Sequence, residues 1–128
     1  MQANLIARAS LLTLLAVTFG YGQLAIRANI PFQFTAQGKV LPAGSYDIVR
    51  EPAKELIRFS GAAKGASVFV PIVTRLAKGV HTVENAHIVF DKVGDTHFLS
   101  ELWIPGQDGY LLHSTKAKHE HEVVDVPR

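Results

Sequence analysis

Six histidines in a chain without cysteine carry most of the chemical possibilities here. His87, His97 and Glu101 lie on either side of a turn signal. Imidazole and carboxylate groups are ligands of zinc and related ions, and three of them can leave one coordination position open. The second group is His113…His119-Glu120-His121-Glu122. If that stretch is extended, His119 and His121 point the same way; if it is helical, His119 and Glu122 share a face instead. Short histidine-rich tracts bind transition metals weakly. The competing readings are a solvated strand face for the first group and a charged tail for the second.

Other chemistry finds little support. Ser100 and Ser114 have histidines nearby, but no nucleophile elbow or triad order accompanies them. The glycine-rich spot at Gly61 to Gly65 lacks the strand and helix that phosphate binding requires. No catalytic set is expected, and no cofactor. The aromatic side chains, Phe32, Phe34, Tyr46, Phe59, Phe69, Phe90, Phe98 and Trp103, either fill a core or line a ligand cavity. Trp103 and Tyr110 flank the Pro105 to Gly109 loop, where a rim aromatic could stack on a sugar or a partner. Tyr46 joins them as a candidate contact residue.

The elements that position these residues centre on Ala86 to Trp103, AHIVFDKVGDTHFLSELW, which reads as a hairpin. Alternating side chains point to opposite faces of a strand. A three-residue loop Lys92-Val93-Gly94 sets Ala86, Ile88, Phe90, Phe98, Ser100 and Leu102 on one face, the expected core. His87, Val89, Asp91, His97, Leu99, Glu101 and Trp103 take the other. A two-residue Gly94-Asp95 turn competes, shifting the register by one and mixing Phe90 with Leu99 and Glu101. The first register separates apolar from charged residues better. Its outer face is still partly apolar, so another segment is expected to cover it.

Upstream, Leu24 to Phe34 alternates cleanly, with Ile26, Ala28, Ile30, Phe32 and Phe34 on one side. Pro31 lacks a backbone donor, which predicts an edge or a bulge there, and Pro71 within SVFVPIVTR does the same. Ser45 to Arg50 and Leu56 to Ser60 read as short strands, and Tyr110 to His113 as a last one. From Ser114 the chain is expected to form about two helical turns capped by that serine. Seven or eight short strands with turn signals every 8–12 residues predict an all-β, single-domain antiparallel β-sandwich or small β-barrel.

The stretches ANIPFQF, LPAGSYDI and IVFDKVGDTHFLSELW, in that order, resemble a group of small exported bacterial β-rich proteins of uncharacterised function. The resemblance covers about two thirds of the chain beyond residue 22. It implies an exported, mostly β domain and brings no catalytic residues. That group often ends in a short charged helix, whereas this chain ends in a histidine-rich tail.

Residues 1–22 read as a signal peptide, with Arg8 in a short n-region, the apolar run ASLLTLLAVTF, and small residues at Gly20 and Gly22. An uncleaved anchor is the alternative. Residues 23–113 form the expected β domain and 114–128 a short charged helix and tail. Without Arg8 the chain keeps 12 basic and 11 acidic residues, a formal charge of +1. The basic residues are scattered, so no nucleic-acid partner is expected, and no membrane span remains after cleavage. The expected function is an exported, non-catalytic binding or interaction module of the periplasm or cell exterior. Its partner is a macromolecule or a small ligand of the envelope, met at the Ala28 to Phe34 strand edge or near Trp103. The alternatives are a carrier of a small apolar ligand or metal, and a metal-dependent enzyme built on the histidine-bearing hairpin.

Overall fold

The computed structural model describes residues 25–77, 85–105 and 109–126. The expected leader over 1–22 lies outside the described residues, as do 78–84, the middle of the Pro105 to Gly109 loop, and 127–128. Among the described residues eleven strands run in chain order: β1 (Ala25–Ile30), β2 (Phe34–Ala36), β3 (Lys39–Leu41), β4 (Gly44–Glu51), β5 (Leu56–Gly61), β6 (Ser67–Pro71), β7 (Thr74–Leu76), β8 (His87–Val93), β9 (Thr96–Trp103), β10 (Gly109–Leu111) and β11 (Glu120–Asp125). They make two antiparallel sheets. The smaller has the order β1-β4-β5-β6, and the larger β11-β8-β9-β10-β7, with β2 and β3 attached beside β9. A single parallel bridge, Thr35 to Phe98, makes that attachment.

The two sheets share one apolar core. Ala28, Ile30, Tyr46, Ile48, Ile57, Phe59 and Val70 come from the smaller sheet, and Phe34, Ile88, Phe90, Leu99, Leu102 and Tyr110 from the larger. The Phe34 ring meets Tyr46 across the layers at 5.3 Å and Phe90 at 5.4 Å, both edge to face, a favoured geometry for aromatic pairs. The all-β expectation is borne out, as two sheets around one apolar core.

Proline marks every passage between the sheets. The chain leaves the smaller sheet after β1 at Pro31, returns between β3 and β4 at Pro42, and leaves again at Pro71, the last residue of β6. A residue without an N–H interrupts a ladder where the chain must change ladders. The single long strand expected over Leu24 to Phe34 is therefore two strands in different sheets, although Ala28, Ile30 and Phe34 all point into the same core. Tyr46 fastens the second passage, donating its hydroxyl to the Pro42 carbonyl at 2.6 Å. The LPAGSY motif thus supplies both a sheet switch and its tether.

Two further expectations are corrected. The hairpin turn is the two-residue one: Val93 pairs with Thr96, and Gly94 has φ 59, the first position of a type II′ turn. The apolar pattern survives because β9 carries a bulge. Phe90 pairs with Leu99 but Val89 with Glu101, so Ser100 is an extra residue and the register recovers at Ile88 with Leu102. Leu99, not Phe98, faces the core. The Ser100 carbonyl accepts from the Leu112 and His113 amides at 2.7 and 3.2 Å, which stitches the bulge to the chain beyond β10.

The second correction concerns the C-terminal segment, which is not helical. Glu120–Asp125 forms β11 and pairs antiparallel with β8 through six residues. Glu122, Val124 and Val126 alternate towards the core side, with Val124 and Val126 buried there. Among the described residues the only helical piece is a 3-10 turn at Pro52–Lys54, and no helix is long and apolar enough to cross a membrane.

Candidate functional site

To reach β11 from β10 the chain must pass β9 and β8; Leu112 still lies in the core, and residues 113–119 cross the outer face of the larger sheet. His113 stacks on Phe98 at 5.5 Å, and His119 arrives beside Asp91. This is the cover that the partly apolar outer face called for. Phe90 points inward, so alternation sends Asp91 outward, and the crossing segment buries it to 2% exposure.

Asp91 is the centre of the site. Its strand partner across the ladder is His121, and directly opposed residues bring their side chains within reach. His121 Nδ1 lies 3.1 Å from Asp91 Oδ1, and His119 Nε2 lies 3.6 Å from the same oxygen. All three ligand atoms fall within 4.8 Å of one another. Neither contact has hydrogen-bond geometry, and Oδ1 is buried without a hydrogen bond. His119 Nδ1 sits 2.8 Å from the Ala117 carbonyl. A carbonyl only accepts, so Nδ1 carries the proton, and in the neutral ring Nε2 presents a lone pair to Asp91. The two imidazoles meet edge to face at 5.0 Å. An open groove of about 310 Å³, lined by Lys92, Gly94, Lys118, His119 and Glu120, adjoins them.

The other proposed site residues divide between faces. His97 lies on the core side near the hairpin tip, stacked on Phe32 at 3.8 Å with Nε2 against the Glu122 carboxylate. His87 and Glu101 lie on the outer face, where His87 stacks on Trp103 at 5.9 Å and Trp103 Nε1 donates to Glu101 at 2.8 Å. The bulge and the shorter turn turn His97 away from the other two, so the His87, His97, Glu101 grouping does not assemble. Trp103 is half-buried, its ring laid against Gly109, where a Cβ would approach it to 2.7 Å. Tyr46 and Tyr110 are buried in the core at 1% and 2% exposure, and Arg50 lies over the Tyr110 ring at 5.1 Å. Neither tyrosine can meet a partner at the surface. Among the described residues β1 lies at a sheet edge, with β4 on one side only.

Of the residues proposed from sequence, the structure brings together His119 and His121. Asp91 was missed as their partner. Its signal was a lone carboxylate inside the apolar run IVFD, and nothing local connects it to residues 28 and 30 positions further on. Ser100 is no nucleophile: its buried hydroxyl donates to the His113 carbonyl at 3.0 Å. No protein-family model, curated protein or solved structure matches the chain.

Proposed function

We propose that this chain is an exported, non-catalytic binding module that works through the outer face of the β11-β8-β9 sheet. The observation that carries the reading is Asp91. Burying a carboxylate costs several kcal/mol unless it is well paired and hydrogen-bonded, and Oδ1 has no hydrogen bond. The fold does not need a charge there, because an apolar residue would suit a covered strand position. A carboxylate kept at such a cost, under two histidines, is in keeping with a binding role. A cleft of about 230 Å³ reaches Ala36, Val70, Leu99 and Leu112, which is below the roughly 300–1,000 Å³ usual for small-molecule pockets and argues against an apolar-ligand carrier. Among the described residues no hydroxyl adjoins a histidine as nucleophile to base, which argues against a hydrolase.

The test is the stability of Asp91→Asn without added ligand. If the carboxylate serves binding, the variant is at least as stable to urea as the parent, with a gain of up to ~2 kcal/mol. A loss of about 3 kcal/mol or more would make Asp91 a structural partner of the histidines and overturn the reading. Mass spectrometry of the protein from the exported fraction tests the leader, with an N-terminus near Gln23 expected. One equivalent of a tightly held apolar compound would favour the carrier instead.

A further inference from the structure

We infer that Asp91, His119 and His121 form a binding site for a borderline divalent transition-metal ion of the zinc, nickel and copper group. The inference deepens the binding reading above by naming its ligand.

Two imidazole nitrogens and one carboxylate oxygen are the donor set such ions prefer, whereas calcium and magnesium need six or more oxygens. The two histidine contacts to the carboxylate have the spacing of metal ligands, and all three donor atoms lie within 4.8 Å of one another. With ligand bonds of about 2.0–2.1 Å, a tetrahedral ion holds its donor atoms about 3.3 Å apart. The contacts of 3.1 and 3.6 Å to Asp91 Oδ1 bracket that value. With its Nδ1 proton directed at the Ala117 carbonyl, the neutral His119 ring turns its Nε2 lone pair towards Asp91 Oδ1, so donor atoms converge on the space an ion would take. The same Nδ1 contact is the outer hydrogen bond that metal-bound histidines usually make, fixing tautomer and ring orientation. Asp91 supplies the second observation. Its side chain is 3% exposed, and its Oδ1 is aimed at the histidines without a hydrogen bond. The His121 side chain is 58% exposed and gives the ion a way in from solvent.

The experiment uses tag-free protein carrying residues 23–128, stripped with a chelator and titrated calorimetrically with zinc, with calcium and magnesium as controls. One equivalent of zinc is expected, bound at least about a hundredfold more tightly than calcium. His121→Ala and His119→Gln are each expected to weaken it at least tenfold, and His87→Ala to leave it unchanged. Cobalt should give the intense visible absorption of a four-coordinate ion in the parent, lost in His121→Ala. Because His121 is largely exposed, that variant keeps the test open should Asp91→Asn fail to fold. Absence of saturable one-to-one zinc binding would overturn the site, as would zinc binding that survives both histidine substitutions. The contacts would then be an ion pair that fastens β11. The two readings fail separately: a destabilised Asp91→Asn removes the binding module, and a null titration beside a stable Asp91→Asn removes only the metal.

Discussion

At the scale of single residues, Gly109 and Tyr46 show how closely side chains are fitted around the site and the core. The Trp103 ring occupies the space of a Gly109 Cβ. Gly109→Ala is expected to lose about 1–3 kcal/mol in urea unfolding, and the loss should shrink in a Trp103→Ala background, where the obstructing ring is gone. Burial pushes the Tyr46 phenol above its ordinary value. The unfolded chain therefore ionises first, and Tyr46 contributes stability that is present below pH ~10 and lost as pH rises towards the folded value. Tyr46→Phe should flatten that alkaline decline while forfeiting the bond to Pro42, about 1 kcal/mol at neutral pH. Asp47 shows the opposite sign: its hydrogen bond from Arg27 holds the carboxyl below the usual range. Its stabilisation is present above pH ~4 and lost as pH falls, and it is small because the pair is exposed. What sequence reveals at this scale is residue type. His119 and His121 were legible as a pair through their spacing, but Tyr46 and Tyr110, offered as candidate contact residues, are core residues, because a tyrosine in a short strand gives no local sign of which face is covered.

At the scale of elements, β11 decides most. The stretch STKAKHEHEVVDV, which leads into it and contains it, has good helix formers but no apolar stripe at helical spacing. The period-two sign was present, with Glu122, Val124 and Val126 on one side and His119, His121, Val123 and Asp125 on the other. Charge obscured it, since both faces are polar at the start of the strand. Pairing with β8 resolves the ambiguity, and that pairing is non-local. The hairpin illustrates the same limit: no choice of turn alone could place both Phe90 with Leu99 and Ile88 with Leu102, because the bulge at Ser100 is needed as well. A chain stopped after Ser114 should lose one flank of β8 and expose Ile88 and Phe90. It is expected to self-associate more than the full chain, which light scattering after size-exclusion chromatography would show.

At the scale of the whole molecule, the sheets were legible from alternation and the crossings from proline, although the prolines pointed to edges and not to changes of sheet. The site was not legible as a whole, because it joins β8 to a strand that follows it by about thirty residues. A metal held between those strands binds the folded chain alone. At a hundredfold excess over its dissociation constant it should add about 2.7 kcal/mol. For a domain of about 100 residues this raises the melting midpoint by roughly 10–20 °C. Scanning fluorimetry with and without zinc checks this, and His121→Ala should abolish the rise.

The order of the larger sheet also has a bearing on biogenesis. β11 follows every other described strand in the chain, yet it closes the flank of β8, whose hairpin with β9 is complete well before. If the chain is exported as proposed above, a copy emerging from a translocation pore would sit for a time with its hairpin formed and one edge open to its neighbours. Stalled passage, or a bulky fusion placed just after residue 126, would lengthen that interval. The first symptom would be insoluble material in the receiving compartment, before any change in what the finished protein can hold.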